Sequence, residues 1–282
     1  MGNLGINGCD PSSKKQGATK IVAVSQSILE GQVIRSGQRM EETVLEEVRS
    51  ILAISMFEST ALLSNRYISV KKRFPEIDPI AAASLAASSR NEESLQSRLH
   101  GIKDWFPEIE DLAAAKLVTS IIKEENLYRR YWLVKMRYLE IDDLAAATIA
   151  VSTLRGNLLH ERYIGALVAV RDISPLAGAI LASSNCVEDA LYKRYFSIHE
   201  SFSGIDIQAA AMLATSMRGE TSVSHRYHRV KNNFPRMNDV SAARLATSIH
   251  FNPVVRYRDV ASIWHTDCQR SLSRERVGYS AK

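Results

Sequence analysis

Apolar residues return along this chain at a fixed step. Tyr67, Val70 and Phe74 stand at i, i+3 and i+7, with Leu63 four residues before the first of them. The stripe recurs every 32 residues as Leu99, Ile102, Phe106; Tyr131, Val134, Tyr138; Tyr163, Ala166, Val170; Tyr195, Ile198, Phe202; and Tyr227, Val230, Phe234. That spacing is one face of a helix. Phe-Pro pairs at 74–75, 106–107 and 234–235 stop it, because proline lacks a backbone N–H and disfavours helix in the residue before it.

A second helix is predicted four residues on. Its start is marked by Asp78, Glu110, Asp142, Ser174, Asp206 and Asn238, mostly N-cap residue types, with Pro79 and Pro175 in the favoured first-turn position. Its side chains are small. Ala83, Ala115, Ala147, Ala179, Ala211 and Ala243 are alanine in every copy. Ser88, Ser120, Ser152, Ser184, Ser216 and Ser248 follow five residues later. Alanine favours helix and lets neighbouring helices approach closely. Together with Tyr67, Phe74, Phe106, Tyr131, Tyr163, Tyr195 and Tyr227, these ladders are the expected repeat core.

Six copies without a register slip, Arg66–Ser88 to Arg226–Ser248, predict a tandem repeat. The expected fold is all-α: an α-solenoid of antiparallel helix pairs, six 32-residue repeats plus terminal capping helices. The expected organisation is a disordered tail over 1–17, capping helices and the start of the array over 18–65, six repeats over 66–257, and a final helix with a basic tail over 258–282. The 18–65 segment holds a helix over Ala18–Leu29 and another over 42–56. In the latter, Leu52-Ala53-x-Ser55 echoes the end of the later repeats.

Charge changes the picture little. The net charge is +5, but the first 40 residues hold five Lys/Arg against two Asp/Glu, and the last 27 hold six against three. The body between is close to neutral, which argues against a phosphate-tracking stripe. Three separated cysteines make no disulfide framework and fit a reducing compartment. No apolar run approaches 18 residues, so no membrane span is expected. The expected location is the cytoplasm, or the host cytosol for a secreted effector.

Candidate chemistry is sparse. Arg66, Arg98, Arg130, Arg162, Arg194 and Arg226 form a ladder that could meet phosphates or an acidic peptide. The ordinary alternative has each arginine bonding a helix C-terminus or a neighbouring capping aspartate. The position after the third alanine varies as Ser84, Lys116, Thr148, Ile180, Met212 and Arg244. It is expected to be exposed, and Lys116 and Arg244 join the ladder as binding candidates. The loops after each Ser vary as well. The Ser ladder has no recurring base beside it, so it is expected to bond carbonyls four residues back. His225 and His228 lack a third ligand at suitable spacing. No catalytic residue, metal or cofactor is expected.

The chain resembles tandem two-helix α-solenoid proteins of the tetratricopeptide and HEAT class, over about 42–265 and at the level of architecture alone. Its period is 32 and the Trp-x2-Leu-Gly pattern is missing. It is also similar in topology to transcription-activator-like effectors, without their glycine pair in the variable loop. The expected function is a non-enzymatic scaffold that binds a protein or peptide through its groove or variable loops. Nucleic-acid binding through the Arg ladder is the alternative. A secreted bacterial effector, suggested by the polar tail, is the weaker one.

Overall fold

The computed structural model describes residues 42–57, 59–250, 252 and 254–262. The tail over 1–17, the Ala18–Leu29 helix and the C-terminal basic segment lie outside them. Among the described residues every regular element is a helix. They run α1 (Glu42–Ala53), α2 (Thr60–Arg73), α3 (Pro79–Ala87), α4 (Glu92–Trp105), α5 (Asp111–Thr119), α6 (Glu124–Arg137), α7 (Asp143–Ala150), α8 (Gly156–Ala169), α9 (Pro175–Ala182), α10 (Glu188–Ser201), α11 (Ile207–Ala214), α12 (Glu220–Asn233) and α13 (Asp239–Thr247). A further helix, α14, covers 254–262.

Local chemistry sets these bounds. Asp78, Asp142, Ser174, Asp206 and Asn238 each accept a first-turn backbone N–H of the following short helix, and Glu110 does not. Each such bond satisfies one of the donors a helix start leaves open. The long helices all end at the aromatic or valine position of the stripe, whose N–H still reaches the carbonyl four residues back.

Packing falls into two layers. Each long helix lies against the short helix that follows it, α2 on α3 through to α12 on α13. The short helices pack on one another in succession, α1 on α3, α3 on α5 and onward to α11 on α13. The succession then closes, because α13 packs against α1. An inner helix therefore has a neighbour on each flank and a long helix at its back. That is why the alanine ladder is needed: all six third alanines are fully buried. Tyr67, Tyr131, Tyr163, Tyr195 and Tyr227 are buried too, while Phe74, Phe106, Tyr138 and Ser88 are half-buried. The long helices are linked by edge-on aromatic pairs at 4.8–4.9 Å: Phe106–Tyr131, Tyr138–Tyr163, Phe202–Tyr227 and Phe234–Tyr257.

Closure changes the role of the N-terminal segment. The helix expected to cap an open end is an inner helix with neighbours on both sides. Leu52, Ala53 and Ser55 match Leu85, Ala86 and Ser88 at a step of 33. The long helix of this seventh pair is α14, from the other end of the body. Its Arg256 donates to the Ser55 carbonyl at 2.7 Å and also to that of Phe57. In the sixth repeat, Arg226 donates in the same way to the carbonyls of Ser248 and His250, both at 3.0 Å.

Candidate functional site

The fourth face of each inner helix looks into a shared lumen of about 800 Å³. The lining positions are spaced i, i+4, i+7, one stripe per helix. On α5 they are Leu112, Lys116 and Thr119; on α7 and the residue after it, Leu144, Thr148 and Val151; on α1 and the residue after it, Glu47, Ile51 and Ile54. Stacked around the ring they form three rungs. The first is largely apolar, with Leu112, Leu144, Leu176 and Val240. The middle one is the variable position after the third alanine. The last is mostly hydroxyl-bearing, with Thr119, Ser183 and Thr215. Residues from two variable loops, Asn185, Cys186 and Met217, complete the lining beside it.

The middle rung corrects an expectation. Ser84, Lys116, Thr148, Ile180, Met212 and Arg244 are not on the outer surface. Thr148 is buried and the others are half-buried. Sequence variation suggested exposure, but the variation belongs to the lumen. The available signal was the alanine content of the short helices: small residues let them pack closely on three sides, so a variable position marks the fourth.

Two cations reach this space. The Arg244 guanidinium donates to the Ser50 hydroxyl at 2.7 Å and stands 3.9 Å from a Glu47 carboxylate oxygen. Burial lowers its pKa, and Glu47 opposes that shift. Burial lowers the Lys116 pKa as well, and the positive charge of Arg244 adds to the effect. Both side chains line the same cavity.

The Arg ladder is engaged elsewhere. Arg66 donates to the carbonyls of Ala86, Ser88 and Arg90 at 2.8–2.9 Å. Arg98 reaches Ser120 and Ile122, Arg130 reaches Ser152 and Leu154, and Arg162 reaches Cys186. Arg194 reaches Ser216 and Arg218 at 2.7 and 2.6 Å. Each arginine thereby satisfies carbonyls at the end of the inner helix of its own repeat or in the loop that follows it. None of these bonds goes to a capping aspartate. The Ser ladder differs from its expected role. Ser88, Ser120, Ser152, Ser184 and Ser216 each accept the backbone N–H two residues ahead, at 3.1–3.2 Å, which fixes the start of the loop.

Aspartates at the first residue of an inner helix tie repeats together. Asp239 accepts the Asp206 N–H at 3.0 Å, the Tyr227 hydroxyl at 2.7 Å and the Lys231 ammonium at 2.9 Å. Asp143 repeats the set with Glu110, Tyr131 and Lys135. His225 and His228 are exposed, and among the described residues no three His, Cys, Asp or Glu side chains group as metal ligands. No described helix is long and apolar enough to cross a membrane. Compared with protein-family models, with curated proteins and with solved structures, the protein gives no significant match to any of them.

Proposed function

We propose that this protein is a non-enzymatic helical-repeat binding protein, an α-solenoid-type array whose ends meet, and that it receives a segment of a protein or peptide partner in its lumen. One observation carries the reading. The positions that differ from repeat to repeat, the middle rung and parts of the variable loops, converge on one cavity, whereas the repeated residues hold the walls. A constant frame around a variable lining is the arrangement of a recognition surface. The volume is within the usual range for ligand sites, about 300–1,000 Å³, enough for a short segment.

A nucleic-acid reading would draw on the Arg ladder. Its guanidiniums are turned to carbonyls of their own repeats, and the lumen offers no run of cations to follow a backbone. The peptide reading is therefore preferred.

The test is a peptide-display selection on the intact protein, followed by affinity measurement on Ser84→Trp and Met212→Trp, which fill the lumen from different walls. Selected peptides should bind the parent protein and lose at least tenfold on both variants, with helical content unchanged by circular dichroism. Peptides that bind the filled variants as well as the parent, or a selection that enriches none, would overturn the reading.

A further inference from the structure

Lys116 is the lumen residue that folding does not account for. The rest of its rung is neutral apart from Arg244, and among the described residues no carboxylate acts on its ammonium; the charge that does is the like charge of Arg244. A half-buried ammonium without a counter-ion is less favourable than one in water, and an anion brought beside it relieves that cost. Arg244 is itself only loosely compensated. Its hydrogen bond goes to the neutral Ser50, and the 3.9 Å separation from Glu47 is longer than a hydrogen bond. The lining thus holds two cations against one carboxylate.

We infer that Lys116 and Arg244 form a carboxylate-binding pair in the lumen, and that the received segment delivers a single carboxylate on an otherwise apolar stretch. This rests on the lumen being the binding site. The carboxylate is the terminal carboxyl group of the partner or an Asp or Glu side chain. Charge selects the class: one positive charge is left over, which matches a monoanion. A phosphate group, at about −1.5 to −2, would overcompensate it. The remainder is selected by Ile51 and Met212, which flank Arg244 on the same rung, and by Ile180 beyond Met212.

The probe is octanoate, with octan-1-ol as its neutral counterpart, titrated into the full-length protein and followed by the ε-methylene carbon signal of Lys116 in NMR. Octanoate should give a saturable shift, and octan-1-ol should bind at least about tenfold more weakly. Lys116→Met, which keeps the length and loses the charge, should weaken octanoate about ten- to hundredfold, as loss of a charged hydrogen bond does. Lys116→Arg should stay within a few-fold of the parent. Equal affinity for the acid and the alcohol, an unchanged Lys116→Met, or no saturable shift would each overturn the inference. The two readings fail separately. Display peptides excluded by Met212→Trp but indifferent to Lys116→Met, and to amidation of their carboxylates, would sink the carboxylate pair and leave lumen binding in place. Octanoate binding at Lys116 together with peptides that ignore the filled lumen would do the reverse.

Discussion

Glu46 accepts the backbone N–H of Asn238 at 3.2 Å, a contact across a sequence separation of 192. Between consecutive repeats the same bond recurs with a separation of 33: Asp111 accepts from Asp78, Asp143 from Glu110, and Asp239 from Asp206. The join between first and last inner helices is therefore chemically a repeat-to-repeat interface. His250 adds a second equivalence. It contacts the Ser55 carbonyl at 2.8 Å, as Arg218 contacts that of Ser248 at 3.0 Å from the matching loop position.

Closure predicts that the two ends stabilise the whole ring. Arg256→Met removes the guanidinium that donates to the Phe57 carbonyl and leaves the Ser55 carbonyl with His250 alone, and should cost about 1.5–3 kcal/mol, the range for hydrogen bonds to charged groups. Removing residues 1–57 should go further and lower the urea midpoint and the cooperativity of unfolding together, since α3 and α13 each lose a flank. Urea titration by circular dichroism measures both. A truncated protein that unfolds at the parental midpoint would rule out closure.

Successive positions of the inner-helix pattern should respond oppositely to added bulk. Ala147, a third alanine, is fully buried between neighbouring helices, so Ala147→Leu should destabilise by about 1–3 kcal/mol through overpacking. Ser84, at the next position of an earlier repeat, faces the lumen, and Ser84→Leu should change stability by less than about 1 kcal/mol. Thermal unfolding of the pair separates wall from lining.

The ladder arginines should be needed for stability and not for charge as such. Arg162 is buried and bonds the Cys186 carbonyl at 2.8 Å. Arg162→Ala should cost about 1.5–3 kcal/mol. Arg162→Lys should recover little of it, because an ammonium cannot at once reach the Cys186 carbonyl and the Glu188 carboxylate that stands 3.5 Å from Nε. Nucleic-acid affinity, read by fluorescence anisotropy at physiological salt, should be the same for both variants and the parent.

The aspartate clusters predict the acid limb of stability. Burial raises the pKa of Asp239, but hydrogen bonds from Lys231, Tyr227 and the Asp206 N–H outweigh it and hold the carboxyl below its ordinary value. Asp143 and Asp111 are lowered in the same way by Lys135 and Lys103. A folded-state pKa below the unfolded value gives stability that is present above about pH 4 and is lost as pH falls through the folded pKa. Asp239→Asn should flatten that limb of a denaturation-versus-pH profile. At the alkaline end, burial pushes Tyr163 up to about 12, helped by the charge of Asp142. Its neutral form is favoured by folding, so stability should decline from about pH 10 upward, and Tyr163→Phe should reduce that decline.

Local structure was legible in the sequence because its causes are local. The stripe at i, i+3, i+7 places Tyr131 and Tyr227 in the core, the Phe-Pro pairs end long helices, and Asp78, Asp142 and Asp206 start short ones through bonds to the next turn. Lys116 and Arg244 also stood out, as charges at a variable position. Their surroundings did not, because lumen and solvent both tolerate polar residues and leave the same variable pattern.

What the sequence alone determined is the repeat: its helix limits and its alanine wall, both set by residues within one unit or the next. What only the tertiary structure decided is that the succession of units returns to its start. The small turn between one unit and the next is set by packing geometry, and no local pattern records where its sum completes a circle. That sum brings Glu46 to Asn238, makes α1 the seventh inner helix, and turns the variable face of seven helices into the walls of one cavity.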